Sequence, residues 1–257
     1  MGSALSLSKK ILESIGGRIT LFQATLPNIG PSKSGSVLKN REDVNNRTVS
    51  SNNTQVLTPL LNPVTDFYKN LGLECSETQI GVDIFILSSS FADIASISPI
   101  SKITGGSIFY YGNNGYNIQC SPGRVLARFE SDFEYYLSRS IGFEAVLRIR
   151  KTKGFGIQSF FGNFFVRSVD LLALPNCNPD SGYAVQLSID EELKDFSHVC
   201  FQAAVLYTST DGERRIKVHT VSFPVVSTIH EVINNADQEA VVGLVLIKFF
   251  KQDNKID

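Results

Sequence analysis

The sequence has no tryptophan, a single methionine, and only three histidines and four cysteines among 257 residues. These scarce side chains are scattered. Cys75, Cys120, Cys177 and Cys200 form no CxxC pair, the nearest two standing 23 positions apart, so neither a zinc ribbon nor a thioredoxin-like site is expected. His198, His219 and His230 lie far apart and read as surface residues rather than as metal ligands or bases. There is no GxSxG elbow, HExxH, P-loop or GxGxxG. Gly154-Phe155-Gly156 runs on into Ile157, Gln158 and Ser159 between strand-like segments instead of opening a helix. No catalytic residue, cofactor or metal is therefore assigned. No run approaches the roughly 18–20 apolar residues of a membrane span; VVGLVLIKFF near the end is too short. The opening MGSALSLSKKILESIGG lacks the uncharged apolar core of a secretory signal. Charge of one sign is lacking as well. With 24 basic and 25 acidic residues the net charge is −1, which argues against a general nucleic-acid binder. These absences describe a soluble, cytoplasmic chain with reduced thiols. In that setting the sequons at Asn46 and Asn52 are chance matches.

What is present divides the chain in two. Leu5, Leu7, Ile11, Leu12 and Ile15 fall at helical spacing before a Gly16-Gly17 stop. Residues 18–25 then alternate like a strand. Residues 27–63 are rich in Ser, Asn, Gly and Pro without sustained period, and 31–59 reads as a disordered insertion; its Arg41-Glu42-Asp43 triplet receives no function. A short helix follows over 65–73. The dense apolar run 81–87 suits a parallel strand covered on both faces, and a helix over 90–96, a strand over 107–111 and a helix over 123–138 complete a β/α alternation typical of a layered parallel sheet.

From Ile141 onward the pattern changes. Ile141, Phe143, Ala145, Leu147 and Ile149 alternate with Glu144, Arg148 and Arg150, the period of a half-buried strand. Arg148 and Arg150 then share the polar face, about 6–7 Å apart along it. Such a face is ordinarily just solvated; the alternative is a guanidinium pair for a carboxylate-rich ligand. Extended segments follow over 155–167, 183–189 and 199–208. Asp211-Gly212 turns a hairpin into 213–221, with Ile216 and Val218 expected inward and Arg215, Lys217 and His219 outward. The whole reads as an antiparallel sandwich, and from Ser227 the spacing becomes helical.

Three blocks in this half, GFEAVLRIR, FFGNFFVRSVDLLALPN and TSTDGERRIKVHTVSFPVVS, resemble the β-sandwich region of the cargo-adaptor subunits of the COPII vesicle coat. Upstream, DFYKNLGLECSETQIGVDIFILSSSFADIASISPIS is similar to the second half of their trunk domain. The likeness covers about residues 4–243, weakest over 30–59. It implies an α+β multidomain fragment: the second half of a von Willebrand A-like α/β trunk over 1–140, an antiparallel β-sandwich over 141–226, and the start of an all-helical domain over 227–257. It also implies an adaptor that is not an enzyme and pairs through its trunk with the sister coat subunit. Its other expected partners are a small coat GTPase in the same assembly and cytosolic sorting signals of membrane cargo, SNAREs among them. The setting would be the endoplasmic reticulum membrane and COPII vesicles, as a peripheral protein. By block position, one family cargo site falls on Arg148, Arg150 and Leu206. The family's zinc-binding module, and the strands that complete its sandwich, are expected upstream of this chain. A metal-free α/β enzyme with an unrecognised site stands as the alternative, to be told apart by a buried cleft of titratable groups with pKa values pushed apart.

Overall fold

The apolar run after Gln79 becomes a strand in which all seven residues are buried, β2 (Ile80–Ile86). In this computed structural model, which describes residues 1–30, 35–41, 61–88, 90–112 and 122–252, β2 is the middle of a parallel three-stranded sheet. Its neighbours are β1 (Gly17–Gln23) and β3 (Ile108–Tyr110). Because side chains alternate across a strand, β2 feeds two cores. Ile80, Val82, Ile84 and Ile86 pack with Leu5 of α1 (Gly2–Leu12), Tyr68, Leu71 and Cys75 of α2 (Phe67–Glu77), and Ile97 and Ile100 of α3 (Ile94–Ile103). Phe85 points the other way, against α4 (Pro122–Ser138), where it meets Phe109, Phe133 and Tyr136 at ring-centroid distances of 4.5, 5.6 and 5.0 Å. The expected layering of helices on both sides of a parallel sheet is what the chain adopts.

Two expectations need correction here. The helix placed over 90–96 begins at Ile94, because Asp93, at φ +44°, caps it by accepting the Ser96 N–H. Pro99 lies within the helix, in its second turn. The insertion expected over 31–59 is not all excluded from the core. Leu38 is buried against the first cluster, Ser36 O accepts a 2.7 Å hydrogen bond from Tyr68, and Arg41 pairs with the buried Asp93 carboxylate. Residues 31–34 and 42–59 of that segment, with the two sequons and Glu42-Asp43, and Cys120 lie outside the described residues. Cys75, Cys177 and Cys200 are free thiols.

The second half is a sandwich of unequal layers. One sheet has the order β10 (Arg214–Pro224), β9 (His198–Ser209), β4 (Gly142–Lys151), β7 (Leu171–Cys177), β6 (Phe165–Ser168); the other pairs β5 (Phe155–Phe161) with β8 (Ala184–Ile189). Ala145, Leu147, Leu172 and Leu174 form the core between them, with Phe160, Phe164 and Tyr183 packed on it. The extended segment expected over 155–167 is two strands in different sheets, broken at Gly162, whose φ of +139° favours glycine. β7 has no counterpart in the sequence reading. It carries Pro175, which speaks against a central strand, yet residues 172–176 are all buried.

The two halves meet on α4 and β7. Tyr135 and Arg139 donate to the two carboxylate oxygens of Asp180 at 2.8 and 2.7 Å, and those bonds hold the Asp180 carboxyl below its ordinary pKa. A Cβ on Gly81 would collide with Asn176 of β7. After the sandwich, α5 (Ile229–Asn234) and α6 (Gln238–Gln252) leave Ile229, Ile233, Val242 and Val245 exposed. Among the described residues no helix is long and apolar enough to cross a membrane.

Candidate functional site

Strand β4 pairs with β9 on one side and β7 on the other, and this register decides which side chains share a face. Val146 lies opposite Leu206, Arg148 opposite Ala204, and Arg150 opposite Gln202. One strand further, Leu206 faces Ile216, Ala204 faces Val218, and Gln202 faces Thr220. Cross-strand partners point to the same side of a sheet, so Arg148, Arg150 and Leu206 occupy one face. The opposite face carries Ala145, Leu147, Ile149, Ala203, Val205 and Tyr207, which pack on the sandwich core. A bulge at Glu144, at φ +50°, interrupts the ladder to β9 just before Val146 and leaves the arginine register intact.

The face is open and graded. Val146, Leu206 and Ile216 form an apolar row across three strands, with Leu206 half-buried and Ile216 68% exposed. The next row holds Arg148 with Val218, which is 52% exposed. The third holds Arg150 beside Gln202 and Thr220, themselves joined by a 3.1 Å hydrogen bond. Arg148 donates from Nε to Asp170 Oδ2 at 2.8 Å, and that bond is the main cause of the lowered Asp170 pKa. At the far end Arg214 spans Thr208 and Glu144 at 2.7 and 3.4 Å. Arg150 has no ion pair among the described residues. The face thus offers a positive anchor beside solvent-facing apolar side chains, the chemistry that recognises a short acidic peptide with an apolar residue.

Leu206, placed by family resemblance alone, lies outside the sandwich core, half-buried opposite Val146. Ile216 and Val218, expected inward, face out beside it. It is Lys217 and His219 that lie over Val205 and Ala203 on the inner side, where with Arg215 they rim a cavity of about 460 Å³ floored by Leu174, Tyr183 and Tyr207. Ile216, Val218 and Val146 share this candidate face and Asp170 touches Arg148 on it, a grouping the sequence pattern does not reveal. The alternation of residues 214–221 signals both faces of β10 equally well, and nothing in it says which one a second layer covers.

A catalytic cleft was the test for the alternative. Burial raises the Cys177 thiol and the Tyr183 phenol, which line the 460 Å³ cavity, and the shifted buried acid, Asp83 on β2, lies elsewhere. Burial pushes its carboxyl up, partly offset by the Ser107 N–H at 2.7 Å and the Tyr136 hydroxyl at 3.0 Å. Burial in turn lifts Tyr136 to about 12, with the Asp83 charge adding to it. Thr20 bonds the same hydroxyl at 2.6 Å, and the Arg18 guanidinium lies 4.3 Å from the Tyr136 ring centre. Asp83, Tyr136, Thr20 and Arg18 line neither the 460 Å³ cavity nor the smaller cleft between Gly105 and Tyr183, and Ser107 alone of this network lines the smaller cleft. Among the described residues, no three His, Cys, Asp or Glu side chains gather to hold a metal ion.

Comparison with known proteins agrees with the organisation of both halves. The Sec23/Sec24 trunk domain matches residues 1–134 and the Sec23/Sec24 beta-sandwich domain matches residues 142–226. Protein transport protein Sec24A of Bos taurus is 49% identical over 244 residues, which is 95% of this chain and 21% of the relative. Protein transport protein Sec24B of Homo sapiens is 48% identical over 95% of this chain and 18% of its own length. Protein transport protein SEC24 of Podospora anserina is 40% identical over 94% of this chain and 24% of the relative. The chain therefore spans about a fifth of the length of these relatives. The crystal structure of the human COPII-coat protein Sec24c superposes with a TM-score of 0.84 at 25% identity, covering 98% of this chain and 32% of that one.

Proposed function

The chain belongs to the Sec23/Sec24 family, and from that premise we propose that it works as part of a COPII cargo adaptor whose open sandwich face clasps acidic sorting signals. On this reading residues 1–140 are the second half of a trunk domain, 141–226 a β-sandwich and 227–257 the beginning of a helical domain. The protein catalyses no reaction. It pairs through the trunk with the sister coat subunit, shares an assembly with a small coat GTPase, and serves transport from endoplasmic reticulum to Golgi. It sits at the membrane as a peripheral, cytoplasmic protein, takes SNAREs among its cargo and binds no nucleic acid. It needs no cofactor or metal within these residues.

The supporting observation is that Arg148, Arg150 and Leu206, far apart in sequence, share one solvent-facing side of a sheet, with Arg150 unpaired among the described residues. Each solvent-exposed ion pair contributes only about 0.2–1 kcal/mol, so affinity is micromolar or weaker, as suits cargo that is later released. The test is fluorescence anisotropy of a labelled acidic signal peptide titrated with the full-length protein, with and without Arg148→Glu and Arg150→Glu. Weak, salt-sensitive binding abolished by the charge reversals supports the site. Binding that survives both reversals makes the arginines a solvated strand face and removes the site from this face.

A further inference from the structure

The turn between β6 and β7 delivers a carboxylate to the cationic face. Asp170 lies just before Leu171, the residue that pairs with Arg148 across β7 and β4. Its backbone carbonyl accepts the Ile149 N–H at 3.1 Å, so the turn is stitched to β4 itself. Its Oδ1 accepts a 3.2 Å hydrogen bond from Ser168, and its Oδ2 accepts the Arg148 Nε at 2.8 Å. Both carboxylate oxygens are thus committed, and the side chain stands where the charge of an acidic ligand would otherwise be drawn. Arg150, two residues further along the same face, has no such companion among the described residues.

We propose that Asp170 is an internal competitor for acidic ligands: its carboxylate offsets the charge of Arg148, weakens binding, and leaves Arg150 as the main anion anchor. The inference rests on the peptide-binding reading of this face. The physical ground is Coulombic. A fixed negative charge a few ångströms from the arriving carboxylate repels it, and at about 6 Å in a water-like dielectric that repulsion changes affinity roughly three-fold. The effect fades with salt. The contrary role is positioning, in which Asp170 holds the Arg148 side chain in one orientation and so assists binding. The two roles predict opposite signs.

The experiment uses the full-length protein and a labelled octapeptide carrying one leucine and two glutamates, with a glutamine-substituted peptide as control. Asp170→Asn keeps an oxygen acceptor for Arg148 while removing the charge; Asp170→Ala removes both. The expected result is that Asp170→Asn binds the acidic peptide roughly three-fold tighter at low salt, with a steeper salt dependence than the wild type and no gain for the glutamine peptide. Unchanged or weaker binding by Asp170→Asn overturns the competitor role, and a loss confined to Asp170→Ala identifies positioning instead. Arg150→Glu separates the two levels. If it abolishes binding while Asp170→Asn gives no gain, only the competitor role falls. If the wild type does not bind, or Arg150→Glu binds as well as the wild type, the peptide-binding reading falls and the role of Asp170 with it.

Discussion

Strands β2 and β10 meet opposite fates in one chain. The seven residues of β2 are all buried, while the eleven of β10 are all exposed, although β10 carries Ile216, Val218, Val221 and Phe223. The difference lies in what covers each strand. β2 is the centre of a parallel sheet, with α1, α2 and α3 on one face and α4 on the other. β10 is an edge strand of a five-stranded sheet whose second layer has only two strands. An apolar residue therefore means core on β2 and available surface on β10. The face proposed for binding sits where coverage ends, because a ligand reaches only what the fold leaves open.

The comparison predicts its largest effect at Phe85. Its ring is buried among Phe22, Phe109, Phe129, Phe133 and Tyr136. Phe85→Ala removes the hub of that cluster and is expected to cost about 3–5 kcal/mol, read as a fall in the urea midpoint. A loss below about 1 kcal/mol would mean that the α4 layer collapses onto the gap and that the contrast with β10 is weaker than drawn.

The second effect is smaller and depends on pH. Burial is the main cause raising the Asp83 pKa above 3.8, so the ionised form is disfavoured in the fold relative to the unfolded chain. The contribution of Asp83 is most favourable below the ordinary value of 3.8 and is lost as pH rises through the raised folded value. Wild-type stability relative to Asp83→Asn is therefore expected to increase as pH falls from about 7 toward about 4. Chemical denaturation of both proteins across that range checks it. A pH-independent difference would show that Tyr136, Ser107 and Arg18 compensate the desolvation completely.

These particulars show how far the sequence is readable. The run at 81–87 and the alternation from Ile141 are local patterns that burial on two faces or one face enforces, so both strands and the parallel-to-antiparallel change were legible. The Asp211-Gly212 hairpin was legible for the same reason, with Gly212 at φ +81°. β7 was not, since a strand buried by neighbours distant in sequence can hold Pro175 once its missing N–H is not needed by the ladder. The docking of Leu38 and the pairing of Arg41 with Asp93 were hidden in a polar, aperiodic stretch, because a single buried leucine has no period. Arg148 and Arg150 were legible as a pair on one face. Their relation to Leu206 came through family resemblance, and the Asp170 partner required the register of β4 on β7, which no local pattern encodes.

The smallest effect on stability, and the sharpest on the comparison, is expected at Ile216. Ile216→Thr keeps the β-branched shape that suits a strand and removes an apolar surface that is 68% exposed, so stability should change by no more than about 0.5 kcal/mol. If the row of Val146, Leu206 and Ile216 receives the apolar side chain of a ligand, affinity for the leucine-bearing acidic peptide should fall about five-fold, the equivalent of roughly 40 Å² of lost apolar contact. Unchanged affinity would reduce Ile216 to incidental surface and confine the site to β4 and β9. A loss of several kcal/mol in the full-length protein would say something different: that the open face of β10 is covered there, and that β10 belongs with β2 as a core strand. Stability and affinity measured on one variant therefore decide whether the exposed side of this sheet is a binding surface or an interior.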